Sequence, residues 1–84
     1  MYFDVIDAKI IRHLEFNVTF SDGLTGNVKI LSSHLYGVFA ALIEPELFKQ
    51  LTVTDGFVSW PNDIDLAPDA MYQAIKNDGE WILQ

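Results

Sequence analysis

The sequence predicts an α+β domain: an antiparallel sheet of about five strands in two hairpin groups, ordered β-β-β-α-α-β-β-α, with short helices. Three observations carry this. Leu14, Phe16, Val18 and Phe20 alternate with Glu15, Asn17 and Thr19, the two-residue period of a half-buried strand. Asp22-Gly23 and Asp55-Gly56 each separate two such runs, where a hairpin turn needs residues that tolerate left-handed backbone. Pro45 and Pro68 each open a short helical pattern, and proline is well placed in a first helical turn because its missing N–H would be unpaired there anyway.

Taken in order, Ile6, Ala8 and Ile10 alternate with Asp7 and Lys9, which predicts a first strand over Val5 to Ile11 and a turn near Ile11-Arg12-His13. The second strand is the Leu14–Phe20 run. Matching faces selects its turn. A two-residue Asp22-Gly23 loop sets Phe20 against Thr25 and Phe16 against Lys29, apolar against polar. A three-residue Ser21-Asp22-Gly23 loop pairs Phe20 with Leu24, Phe16 with Val28 and Leu14 with Ile30. The second alternative is the one predicted.

Ser32 and Ser33 are plausible caps for a helix carrying Leu35, Val38, Phe39 and Leu42, with Gly37 weakening it by about 1 kcal/mol relative to alanine. A second helix runs from Pro45 to Gln50, anchored by Leu47 and Phe48, with Glu46 near its positive end. Leu51 and Val53 begin a fourth strand. A two-residue Asp55-Gly56 loop then pairs Val53 with Val58 and Leu51 with Trp60, apolar against apolar. Pro61 ends the fifth strand because it has no N–H to donate. From Pro68 a helix of about ten residues carries Met71, Ala74 and Ile75 on one side, starts on a poor cap at Ala67, and terminates at Gly79. The apolar tail with Trp81, Ile82 and Leu83 is expected to dock on this chain or a neighbour.

Eighty-four residues form one domain, residues 1–84. Half are hydrophobic and 13% aromatic, too apolar for a disordered chain despite the net charge of −7. Twelve acidic against five basic residues argue against direct nucleic-acid binding, which needs a basic footprint. The acidity reads first as solubility and second as a match for a basic protein partner. The absence of cysteine excludes disulfides, thiolate metal sites and cysteine catalysis. The start, MYFDVIDAK, lacks a signal peptide's basic region and apolar run, and no segment approaches membrane-spanning length, so a soluble cytoplasmic protein is expected. The unprotected first strand is expected to pair with its twin in a homodimer.

Candidate chemistry is sparse. Asp63, Asp65 and Asp69 could offer oxygen ligands to calcium or magnesium, but their spacing lacks the glycine and distal glutamate of an EF-hand, and two solvated loop acids with a helix-dipole partner is the simpler reading. His13 and His34 fall on separate elements without a second imidazole at helical spacing, as surface or turn histidines do. No serine sits in a nucleophile elbow, and Glu44 and Glu46 read as helix-start residues rather than a carboxylate pair. Gly23, Gly26 and Gly56 lie in or beside hairpins, not in a phosphate loop. Phe16, Phe20, Phe39, Phe48 and Trp60 fall on inward faces. Tyr2, Phe3, Tyr36 and Trp81 have no such assignment and are candidates for a partner surface.

Three segments, FNVTFSDG (16–23), GVFAALIEPELFKQLTV (37–53) and WPNDIDLAPDAMY (60–72), resemble the small bacterial proteins grouped as domain of unknown function 2442. The signature positions are Phe20, Asp22, Gly23, Phe48, Trp60, Pro61, Asn62, Asp65, Leu66, Pro68 and Tyr72. Relatives often carry glycine after the Trp-Pro-Asn step, where Asp63 and Ile64 stand here; the aspartate usual soon after the second strand is replaced by Lys29 and Ile30. The resemblance implies a small antiparallel α+β domain with no catalytic residues and no cofactor. It also implies an encoding neighbour, another small protein, in an arrangement similar to toxin–antitoxin pairs. The expectation is therefore a non-enzymatic protein-interaction module, antitoxin-like, whose partner is a small basic neighbouring gene product. The alternative is a small ligand- or metal-binding domain using the acidic loop after Trp60.

Overall fold

The computed structural model describes residues 4–84. Seven strands form two sheets: β1 (Val5–Arg12), β2 (Glu15–Phe20), β3 (Thr25–Ile30) and β7 (Glu80–Leu83) in the order β1-β2-β3-β7, and β4 (Thr52–Thr54), β5 (Phe57–Trp60) and β6 (Ile64–Leu66) in the order β4-β5-β6. The α+β class holds. A single five-stranded sheet does not, because two short strands escape sequence pattern. β6 is three residues between two prolines, and β7 is a run whose apolar residues do not alternate.

The hairpin registers follow the face-matching argument. Phe16 faces Val28 across β2–β3, the Phe20 N–H donates to Leu24 O at 2.7 Å, and Ile30 N–H donates to Leu14 O at 2.8 Å. Val53 faces Val58 across β4–β5, with Asp55 at φ 52° and Gly56 at φ 84°, the paired left-handed turn that matches strand twist. Leu51 precedes β4 rather than beginning it.

The first strand departs from its alternation. A bulge between Val5 and Asp7 puts Val5 opposite Phe20, so Val5 is buried and Ile6 is 60% exposed. A second irregularity between Ile10 and Arg12 moves the turn to His13-Leu14, with Leu14 at φ 67°, one step later than the sequence suggests. Tyr2 and Phe3 lie outside the described residues.

The helix expected after Ser32 and Ser33 is not α-helical. Two 3-10 turns, Ser32–His34 and Gly37–Ile43, occupy that segment, and neither serine caps a helix with its side chain. Gly37 sits at φ 58°, which interrupts right-handed helix. The three-residue period then turns Phe39 and Leu42 toward the core and leaves Val38 60% exposed. Helix α1 (Pro45–Phe48) is shorter than the expected Pro45–Gln50. Helix α2 (Pro68–Asp78) matches expectation: Ala67 makes no side-chain cap, and Gly79, at φ 79°, donates its N–H to Ile75 O. Its buried residues are Met71, Tyr72 and Ile75, with Tyr72 in the place expected of Ala74.

The apolar tail docks on its own chain. β7 pairs with β3 in parallel, Val28 facing Trp81 and Ile30 facing Leu83. α2 supplies the crossover stretch that parallel pairing requires, and the two sheets share one core containing Phe16, Phe20, Phe48, Trp60 and Ile75. No helix among the described residues is long and apolar enough to cross a membrane.

Candidate functional site

The buried signature residues Phe48 and Trp60 meet at one place, and Phe20 and Tyr72 at a second, while Asp22, Gly23, Pro61, Asn62 and Asp65 are exposed. At the first, Phe48 from α1 stacks on Trp60 from β5, ring centres 5.7 Å apart, and Phe16 meets the Trp60 ring edge-on at 5.9 Å. The indole Nε1–H donates to the Phe48 carbonyl at 2.9 Å. Trp60 thus fills the buried face and shares the last carbonyl of α1 with the Leu51 N–H, which donates to it at 3.2 Å.

At the second, Tyr72 of α2 lies edge-on to Phe20 at 5.1 Å and donates its hydroxyl to Asp22 Oδ2, while Asp22 Oδ1 accepts the Leu24 N–H at 3.0 Å. Lys76 Nζ stands 5.9 Å from the Tyr72 ring centre. The tyrosine hydroxyl and then the Leu24 amide hold the Asp22 carboxyl below the usual carboxylate range. The same bond to Asp22 raises the Tyr72 phenol, and burial adds to it. Asp22 and Tyr72 are therefore a clamp between the β2–β3 turn and the last helix.

The signs fix its pH window. A depressed Asp22 contributes stability above its ordinary value of 3.8 that is lost as pH falls through the folded-state value. A raised Tyr72 contributes stability below its ordinary value of 10.0 that is lost as pH rises through its folded-state value. Tyr72→Phe should raise the Asp22 carboxyl toward the ordinary range in a carbon-detected titration, the Leu24 amide still holding it down. Its stability deficit against the parent should be full near neutrality and shrink below pH 3.8. A deficit independent of pH would contradict the clamp.

The acidic candidates are not brought together. Asp63 is in the β5–β6 turn, Asp65 is on the exposed side of β6 opposite Ser59, and Asp69 is in the first turn of α2. Among the described residues no group of three or more acidic or histidine side chains is placed to hold a metal. Asp63 has a conformational explanation instead. Asn62 and Asp63 stand at φ 71° and 61°, left-handed positions that aspartate and asparagine tolerate better than most residues. Asp63→Gly should relieve about 0.5–1 kcal/mol and raise Tm by a few degrees in calorimetry; a lower Tm would assign the carboxylate a role of its own.

Both histidines are engaged with backbone carbonyls, so the bonded nitrogen carries the hydrogen. His13 Nε2–H donates to Leu42 O at 3.0 Å and His34 Nδ1–H to Gln84 O at 3.3 Å. Glu15, read as solvent-facing from its alternation, is buried and paired with Arg12. Glu44 precedes α1 and Glu46 lies in its first turn, as expected of helix-start residues.

Apolar surface is exposed along the 3-10 segment as well as on β1: Tyr36 is 66%, Val38 60% and Ile43 61% exposed, followed by the exposed acids Glu44 and Glu46. Of the aromatics without a core assignment, Tyr36 falls here, while Trp81 is half-buried in β7.

Comparison with known families matches residues 5–77 to the family described as protein of unknown function (DUF2442). The chain belongs to that family. The match spans both hairpin groups and nearly all of α2, including the Trp60–Phe48 and Tyr72–Asp22 pairs. No curated protein and no solved structure matches the chain.

Proposed function

We propose that this DUF2442 protein is a non-enzymatic protein-interaction module whose partner is a small basic protein, as expected of the antitoxin-like member of a two-gene pair. The observation that carries this reading is the exposed Tyr36, Val38 and Ile43 on one short segment beside Glu44 and Glu46. Large apolar side chains left in water beside charge are the makings of an interface, with an apolar centre and a polar rim. Tyrosine is also enriched among residues that dominate binding energy. The net charge of −7 sets the partner's sign and speeds the encounter.

Co-expression with the neighbouring small basic protein should yield a complex in gel filtration at micromolar concentration. Tyr36→Ala with Val38→Ser should weaken it by about tenfold or more without lowering Tm, because both side chains are already in water. Two proteins that elute separately would sink the reading.

A further inference from the structure

We propose that β1 is a self-complementary edge through which two copies of this chain pair as antiparallel strands, the two-fold axis passing through Ala8. β1 is the outermost strand of the four-stranded sheet. Its sequence from Asp4 to Arg12 reads Asp-Val-Ile-Asp-Ala-Lys-Ile-Ile-Arg. About Ala8 the apolar residues are symmetric and the charges antisymmetric. Antiparallel pairing about that centre sets Asp7 against Lys9 and Ile6 against Ile10. Each contact occurs twice, as an isologous interface requires. Shifting the axis by half a residue destroys the match: Asp7 then faces Ile10 and Ala8 faces Lys9.

The backbone is oriented for this register. The Phe20 N–H is bonded to Leu24, so Phe20 directs its main-chain groups at β3. Alternation then directs those of Thr19 and Asn17 at β1, where their partners are Asp7 and Lys9. Ala8 and Ile10 consequently turn their N–H and C=O groups to the open edge. A two-fold axis at Ala8 makes Ala8 a hydrogen-bonded pair with itself, while the bulge at Ile6 interrupts the alternation there and leaves the Ile6–Ile10 pair to side-chain contact. The N-terminal end is closed, since the Val5 N–H donates to Gly56 O at 2.9 Å. The new ladder thus centres on Ala8, between the bulge at Ile6 and the irregularity after Ile10, with the Asp7 and Lys9 charges on either side of the axis. Charges on an edge strand ordinarily repel an incoming twin; here the antisymmetry makes them attract. Pairing would also cover Ile6, Ile10 and Ile11, three of the large apolar side chains otherwise left in water.

Light scattering on the full chain should give a particle of twice the 9.5 kDa chain mass at high micromolar concentration. Asp7→Lys faces Lys9 with a like charge at two symmetric places and should weaken the dimer about tenfold. The swap Asp7→Lys with Lys9→Asp should restore it. Both side chains are exposed, so folding is not at stake. The register has its own test, because the chain has no native cysteine. Ala8→Cys should form an intermolecular disulfide under mild oxidation, its Cα atoms being about 5.5 Å apart in a hydrogen-bonded pair. Ile6→Cys, which faces Ile10, should not. A 9.5 kDa particle at every concentration would overturn the proposal. So would a dimer indifferent to Asp7→Lys, or equal cross-linking at positions 6 and 8. None of these bears on the basic partner, whose complex is read separately by co-expression.

Discussion

Replacing Trp60 by alanine should cost about 3–5 kcal/mol. A chain of this length is expected to hold about 4–13 kcal/mol in total, so the variant should lose a large share of its stability. Packing and hydrogen bonding contribute separately, and Trp60→Phe divides them. Phenylalanine retains a ring against Phe48 and Phe16 but leaves the Phe48 carbonyl without the indole N–H that pairs it at 2.9 Å. The Leu51 N–H still donates to that carbonyl at 3.2 Å, so the variant forgoes one hydrogen bond of about 0.5–1.5 kcal/mol and should lose well under what alanine loses. Urea unfolding followed by circular dichroism measures both. A phenylalanine variant as stable as the parent would show the hydrogen bond to be dispensable and Trp60 to act by volume alone.

The second large effect is expected at Gly26. It lies in β3 opposite Val18, where the sheet meets α2. A Cβ there would stand 2.6 Å from Ile75 Cγ2 and 2.8 Å from the Gly79 carbonyl oxygen. Overpacking of this kind costs about 1–3 kcal/mol. Gly79 leads directly into β7, so pushing it away strains the β3–β7 pairing as well. Gly26→Ala should therefore destabilise the protein and lower amide protection in Glu80–Leu83 before that in β2. Adding Ile75→Ala removes the side-chain clash but not the carbonyl, so the double variant should not recover the parent's stability. Recovery would place the whole conflict in the side chain.

Position 26 also shows where sequence reading succeeds and where it stops. Its glycine reads as one of several beside hairpins, and the strand alternation places it correctly opposite Val18. What it approaches is invisible, because α2 arrives from fifty positions further along the chain. Local chemistry was legible for the same reason. Gly23 and Asp55-Gly56 determine turn lengths, and turn length with a two-residue period determines register. The failures are tertiary. Leu35, Val38, Phe39 and Leu42 have helical spacing, yet Gly37 breaks the segment and a three-residue period results. Ile64-Asp65-Leu66 alternates, but three residues are too few to be told from a loop, and the strand exists because Trp60 and Val58 offer it partners. At the candidate site, the Phe48–Trp60 and Asp22–Tyr72 pairs join segments far apart in sequence, so each residue could be named but not its companion. The exposure of Val38 depends on the 3-10 period and is equally out of reach, whereas Tyr36 already stands out in sequence as an aromatic without a core assignment.

The parallel β3–β7 pairing has a kinetic consequence. Val28 and Trp81 are more than fifty positions apart, and this contact forms only after the second hairpin group and α2 are organised between them. Closing so large a loop is entropically late, and folding slows as such distant contacts dominate. Until β7 arrives, β3 is a bare strand edge carrying Val28 and Ile30, available to any other chain at the same stage. The refolding yield of this protein should accordingly fall with concentration even where its native state is fully soluble.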